Sequence, residues 1–181
     1  MNKNLVINAS PIILLGKADL LKTVSPLAKA WIIPEGVIRE VEAKRPIDSY
    51  LSGLASNSEV VRKTVLNIHP SIATWDLGQG ESEVLTLALE KPHTGVVLDD
   101  LQARKCTELF EIPLIGTLGL IVLAKRKGLI TLAKPFIARL VAVGLYINSA
   151  MINRILVKVG EADKTNEKII EVDLDGLQTA G

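Results

Sequence analysis

The feature that most constrains this chain is a series of short apolar runs, each stopped by a polar residue, a proline or a glycine and followed by a helix. The first is Leu5-Val6-Ile7, which ends on Asn8; Ser10-Pro11 then supplies an N-cap and a proline at the first helical position, opening a helix toward Leu21. Ala30 to Pro34 repeats the pattern, with Pro34 opening a helix through about Lys44 whose apolar stripe is Val37, Ile38 and Val41. Thr94 to Leu98 is a β-branched run that stops on Asp99-Asp100 before a helix from about Leu101 to Phe110. Ile112 to Ile115 closes on Gly116-Thr117, and a helix from Leu118 to Lys127 follows with basic residues in its last turn and Gly128 as its cap. Strands alternating with helices require a parallel sheet with helices on both faces. The expected fold class is therefore α/β, a three-layer sandwich around a central parallel sheet.

The intervening segments are less sharply marked. Ser49 to Lys63 reads as a loose helix on Leu51, Leu54, Val60 and Val61, and Val65-Leu66-Asn67-Ile68 alternates like a strand. His69 to Gly80 reads as a loop, and Glu81 to Lys91 as a helix whose apolar face is too wide for a surface position. Two further helices, Pro135 to Val143 and Ser149 to Val159, each end before a glycine. No repeat or second domain is visible, so residues 1–160 form one domain and 161–181 an acidic tail expected to be mobile. The helices after Leu118 carry more Leu, Ile and Val than one sheet face requires, which predicts a homodimer.

Net charge, +1, points to no partner, but its distribution is uneven. No Asp or Glu occurs between Ile112 and Gly160, where seven basic residues lie, including Lys125, Arg126, Lys127 and Arg139. These either hold a polyanion or are solvated helix faces. The single cysteine, Cys106, excludes an internal disulfide framework and fits a reducing compartment as a small half-buried hydrophobe on a helix. No apolar run reaches membrane-spanning length, and the interrupted N-terminal run does not read as a signal peptide, so a cytoplasmic protein without membrane association is expected.

In a parallel sheet the strands deliver Asn8, Asp99, Asp100 and Thr117 to one edge, where ligands bind. Two adjacent carboxylates there repel unless solvated or neutralised by a cation. Few oxygen ligands suit Mg²⁺ or Mn²⁺, which keep several waters. The competing reading makes one aspartate a cap for the helix at Leu101. By spacing alone Glu81 and Glu83 are first-turn acids and Glu40 a solvated helix residue. Gly78-Gln79-Gly80 lacks the context of a phosphate loop, His69 and His93 stand at no zinc-ligand spacing, and no nucleophile elbow occurs.

Together, NASPIILLGKADLL, IIPEGVIREV, GQGESEVLTLAL, VVLDDLQARK and IPLIGTLGLIVLAKRKGLI, in order over about residues 4 to 160, resemble the PIN-domain family and its prokaryotic branch related to VapC-type toxin ribonucleases. The resemblance implies an α/β sandwich whose acidic residues bind Mg²⁺ or Mn²⁺ and cleave single-stranded RNA or exposed loops. By position, the family's first aspartate falls on Asn8 and its supporting hydroxyl on Ser10. Its further acids fall on Glu40, on Glu81 with Glu83 as the fallback, and on Asp99 or Asp100; Thr117 supports them.

The resemblance thus implies a metal-dependent endoribonuclease, with the toxin of a toxin–antitoxin pair, silenced by an antitoxin partner, as one form. Catalysis would fall to Glu40, Glu81, Asp99 and Asp100, with Asn8 as a neutral fifth ligand; the ion would acidify an attacking water and offset charge on the phosphodiester. Lys125, Arg126, Lys127 and Arg139 would hold the RNA backbone. Asn8 lacks the charge of the family's aspartate, which opens an alternative, a degenerate fold that binds RNA or protein without cutting. A phosphoacceptor receiver domain, suggested by Val-Val-Leu-Asp-Asp, ranks last because Asn8 and Thr117 break its pattern.

Overall fold

β1 (Leu5–Ile7) is buried along its whole length and sits at the centre of a five-stranded, all-parallel sheet in the order β3 (Glu59–Lys63), β2 (Ala30–Pro34), β1, β4 (Gly95–Val97), β5 (Leu114–Ile115). The computed structural model describes residues 3–44, 46–91 and 93–162. β2 (Ala30–Pro34) and β4 (Gly95–Val97) flank β1, with Val6 in register with both Ile32 and Val96. Strands buried on both faces need continuous apolar runs, which is why Leu5-Val6-Ile7 and Trp31-Ile32-Ile33 do not alternate. β5 (Leu114–Ile115) closes one edge against β4. The chain adds β2 and β3 on one side of β1 and then crosses to β4 on the other. A crevice therefore opens between the carboxyl ends of β1 and β4, the switch point at which open α/β sheets bind ligands.

Helices cover both faces, as the alternation of runs predicts. α1 (Ala9–Lys17) follows β1 with only Asn8 between them. Asn8 itself is the N-cap residue, two positions before the expected Ser10, and its side chain makes no capping bond. α2 (Leu21–Val24) and a 3₁₀ turn at Ser25–Leu27 lead into β2; α3 (Glu35–Glu42) follows directly, and α4 (Asp48–Leu54) comes next. α5 (Pro70–Ala73) interrupts the expected loop, and α6 (Gln79–Glu90) starts two residues before Glu81. α7 (Leu101–Leu109), α8 (Thr117–Arg126), α9 (Lys134–Ala142) and α10 (Ser149–Lys158) complete the chain.

One strand lies elsewhere than its pattern suggests. Val65 to Ile68 forms no strand, and Leu66 is 88% exposed; β3 is instead Glu59–Lys63, inside the segment expected to be a loose helix. β3 is an edge strand with both Val60 and Val61 half-buried, so it shows no period of two. Its place is set by pairing, Ile32 with Val61 and Trp31 with Val60, rather than by local pattern. Cys106 is fully buried rather than half-buried, and burial pushes its thiol above the usual range. Glu161, at the start of the expected tail, is firmly held: its carboxylate accepts the Ala133 N–H at 2.6 Å and the Lys134 N–H at 2.8 Å and pairs with Lys125. The tail from residue 163 onward lies outside the described residues.

Candidate active site

The site grows from the first residue after β1. Asn8 donates its backbone N–H to Val97 O at 2.9 Å, which continues the β1–β4 ladder one residue past the strand and fixes the side chain at the switch point. The side chain is buried, and its Oδ1 has no hydrogen-bond partner among the described residues. A buried acceptor left unpaired is costly, on the order of 1–3 kcal/mol, so this atom marks a place where a donor or cation belongs.

Gly80, in the first turn of α6, brings the acids toward it. A Cβ at Gly80 would stand 3.2 Å from Glu40 Oε2 and 3.3 Å from Asn8 Oδ1. Absence of a side chain is what lets α6 enter between α3 and β1 and lets the two oxygens face one space. Glu40 is half exposed and lies 3.8 Å from Lys44, one turn further along. Glu81 makes the backward half of a capping box, accepting the Gly78 N–H at 3.0 Å, while Gly78 has no side chain to make the other half. Its carboxyl is pushed above the ordinary glutamate range, by burial first and then by the like charges of Asp100 and Glu40, against the downward pull of the Gly78 N–H and the Asn8 amide. Asn8, Glu40, Glu81 and Asp100 are thus electrostatic neighbours at one edge of the sheet.

The two aspartates divide their work. Asp99 is committed on both oxygens, accepting the Thr117 N–H at 2.8 Å and the Thr117 hydroxyl at 2.6 Å, so it ties the start of α8 to the end of β4. Asp100 is the N-cap of α7, accepting the Ala103 N–H on Oδ1 at 2.7 Å, and its other oxygen accepts nothing from the described residues. Each aspartate therefore caps a different helix, and Asp100 alone keeps an oxygen available. Glu83, the fallback position, is structural: it is buried and accepts the Gly36 N–H at 2.7 Å and the Gln79 amide at 3.0 Å, with Arg39 at 3.5 Å. It knits α3 to α6 and thereby positions Glu40 and Glu81.

Among the described residues, no three His, Cys, Asp or Glu side chains stand close enough to form a ready-made metal cage. The donors present are hard oxygens, one of them an orphan, and they suit a hard cation that keeps most of its waters, such as Mg²⁺ or Mn²⁺, rather than zinc. His69 caps α5 through its Nδ1 and takes no part.

The basic residues are not gathered here. α8 begins at Thr117 beside the acids and runs back along the sheet. Lys127 consequently lies beside Lys3, Leu5, Gly95 and Pro113, at the amino ends of the strands. Arg126 is exposed at that same end of α8, Lys125 is paired with Glu161, and Arg139 donates to the Ala18 and Asp19 carbonyls. The cations beside the acids include Arg104, whose Nη2 and Asp99 Oδ1 lie 3.5 and 3.0 Å from one point at Gly116, and Lys17 and Lys44, which with Ser10, Glu40, Asp99 and Tyr146 line a cleft of about 430 Å³. Composition drew attention to the acid-free segment and away from these two isolated lysines.

The family model described as PIN domain matches residues 4–161. Among solved structures, the chain is similar to a PilT N-terminus domain protein from the hyperthermophilic archaeon Sulfolobus solfataricus, at 18% identity over 67% of this chain and 92% of that one, with a TM-score of 0.49. No curated protein matches the chain. Among the described residues, no helix is long and apolar enough to cross a membrane.

Proposed function

We propose that this chain, which belongs to the PIN-domain family and so has a nuclease-type fold, is a metal-dependent endoribonuclease. One observation carries the reading: Asp100 and Glu40 both repel Glu81 beside a buried Asn8 oxygen that no group among the described residues satisfies. Like charges gathered at a switch point around an orphan acceptor call for a cation. PIN domains generally depend on divalent metals; here Asn8, Glu40, Glu81 and Asp100 would hold Mg²⁺ or Mn²⁺, and Asp99 with Thr117 would support Asp100 from behind. When bound, such an ion supplies acidification of a water and neutralisation of phosphate charge. The chain's own contribution is placement. The Gly78 and Ala103 N–H groups aim Glu81 and Asp100, and Glu83 holds α3 and α6 at the separation that puts Glu40 opposite them. Ser10, exposed in the first turn of α1, faces the substrate cleft.

A second reading, binding without cleavage, is favoured by Asn8, which removes one negative charge from the cluster, and by the looseness of the acids. Cleavage of an end-labelled structured RNA in Mg²⁺ or Mn²⁺ separates the two. If wild type cuts and Asp100→Asn does not, the cluster is a working nuclease site. Cutting by Asn8→Asp alone would establish a scaffold that has lost its chemistry. In the nuclease reading the chain acts as a toxin held by an antitoxin, and co-purification with the product of an adjoining gene tests that. The reading also includes a homodimer, built on Leu132, Val141, Met151 and Val157, all exposed apolar residues in or beside α9 and α10.

A further inference from the structure

The cleft beside the acids has a composition that the acidic cluster alone does not explain. Its floor is apolar, from Ile13 and Leu14 of α1; Lys17 and Lys44 lie along it, and Tyr146, in the connection between α9 and α10, forms a wall while being fully exposed. An aromatic ring that buries nothing contributes nothing to folding by burial, and its natural partner is a flat ligand. Lys44 is shared with Glu40 at 3.8 Å, whereas Lys17 has no acidic partner among the described residues. A stacking ring, a free ammonium and a volume of about 430 Å³ suit one unpaired nucleotide.

We propose that this cleft seats a nucleotide flanking the scissile bond, its base stacked on Tyr146 and its phosphate held by Lys17, with Lys44 turning from Glu40 to share that charge. The inference rests on the ribonuclease reading for what happens at the neighbouring acids, but the subsite stands or falls on binding. A base must leave a helix to reach the Tyr146 ring, so the subsite selects single strands and extruded loop bases over duplex. That assigns specificity to a residue of the α9–α10 connection and to two lysines on α1 and beyond α3, none of them in the acid-free basic run at α8.

The test is fluorescence anisotropy in EDTA, where metal-dependent cleavage is absent, with a labelled single-stranded RNA of about ten nucleotides and the duplex of the same sequence. Tyr146→Ala is expected to weaken single-strand binding by about tenfold or more, Tyr146→Phe by less than about threefold, and neither to change duplex binding. Lys17→Gln should lower the slope of log affinity against log salt by about 0.7. Because Tyr146 is fully exposed, the variants should melt with wild type. Equal single-strand affinity for Tyr146→Ala and wild type overturns the proposal and makes the ring a contact for a protein partner. So does a loss shared equally by single strand and duplex, or wild type that fails to bind single-stranded RNA yet cuts it in Mn²⁺, in which case the ribonuclease reading survives alone. If the Tyr146 and Lys17 effects appear but no RNA is ever cut, the subsite stands and the cleavage reading falls.

Discussion

Asn8→Asp adds a charge where Glu40 and Asp100 already repel Glu81, and its cost follows from the geometry. Asn8 Oδ1 and Glu40 Oε2 lie 3.3 and 3.2 Å from one point above Gly80, so they are at most about 6.5 Å apart. At an effective dielectric near 20, unit charges at that separation repel by about 2.5 kcal/mol. Glu40 keeps 47% of its side chain accessible, so screening reduces this to about 1–2 kcal/mol. Glu81 adds repulsion of the same sign, and the substitution also removes the amide that holds its carboxyl down. For a chain of this size the penalty corresponds to a melting point about 2–8 °C below wild type at pH 7 in EDTA. A cation that binds the folded state cancels it: at a concentration a hundred times the dissociation constant, it contributes about 2.7 kcal/mol. Scanning calorimetry of both proteins in EDTA and in millimolar Mn²⁺ is the assay. The expected result is a deficit in EDTA that closes or reverses in Mn²⁺, with wild type gaining less. Equal melting in EDTA, or a deficit indifferent to Mn²⁺, would refute the claim that these oxygens share one cation-seeking space.

Other expected outcomes follow from single contacts. Glu83→Ala leaves the buried Gly36 N–H without an acceptor and should cost about 1–3 kcal/mol in urea denaturation. Gly36→Ala, whose Cβ would meet Glu83 Oε1 at 2.6 Å, should be less than additive with it. At Glu161, burial pushes the carboxyl up but is outweighed by the Ala133 and Lys134 N–H groups and Lys125, so its folded pKa lies below the unfolded value. Its stabilisation is therefore complete above about pH 4.5 and lost as the pH falls through the folded value; Glu161→Gln should melt below wild type at pH 7, with the gap closing in acid. Arg126→Glu and Lys127→Glu, at the far edge of the sheet, should change RNA affinity less than Lys17→Glu does, as measured by anisotropy at fixed salt. A dimeric mass is expected from light scattering at micromolar concentration, and a monomeric one defeats the proposed α9–α10 interface.

What the sequence made legible divides along physical lines. β1, β2 and β4 are buried on both faces, and continuous apolar runs ending on polar residues announce such strands without help from the rest of the chain. β3 is an edge strand with one partner, so its position is decided by Trp31 and Ile32 across the ladder and cannot be read from Glu59 to Lys63 alone. Lys17 and Lys44 escaped notice because a cleft is a property of three elements meeting, while charge density is a property of a segment.

The acids show why caps and candidate ligands could not be told apart by spacing. Glu81 and Asp100 are both: each accepts a backbone N–H at the start of its helix and each turns a charge toward the switch point. Capping fixes a carboxylate's rotamer before any ligand arrives, so the first turns of α6 and α7 are rigid mounts for charges that must converge. Glu83 and Asp99 have the same residue types one or two positions away, yet both oxygens of each are already taken up within the protein: by Gly36, Gln79 and Arg39 at one, by Thr117 twice over at the other. The difference lies in unspent acceptor capacity, which only three-dimensional accounting reveals. By that accounting Asp100→Asn should keep its cap bond to Ala103 and most of its stability, while Asp99→Asn, which turns the acceptor of the Thr117 hydroxyl into a donor, should weaken the paired contact and destabilise the fold. Urea denaturation of the two variants decides it, and a larger loss at Asp100 than at Asp99 would invert the roles assigned here.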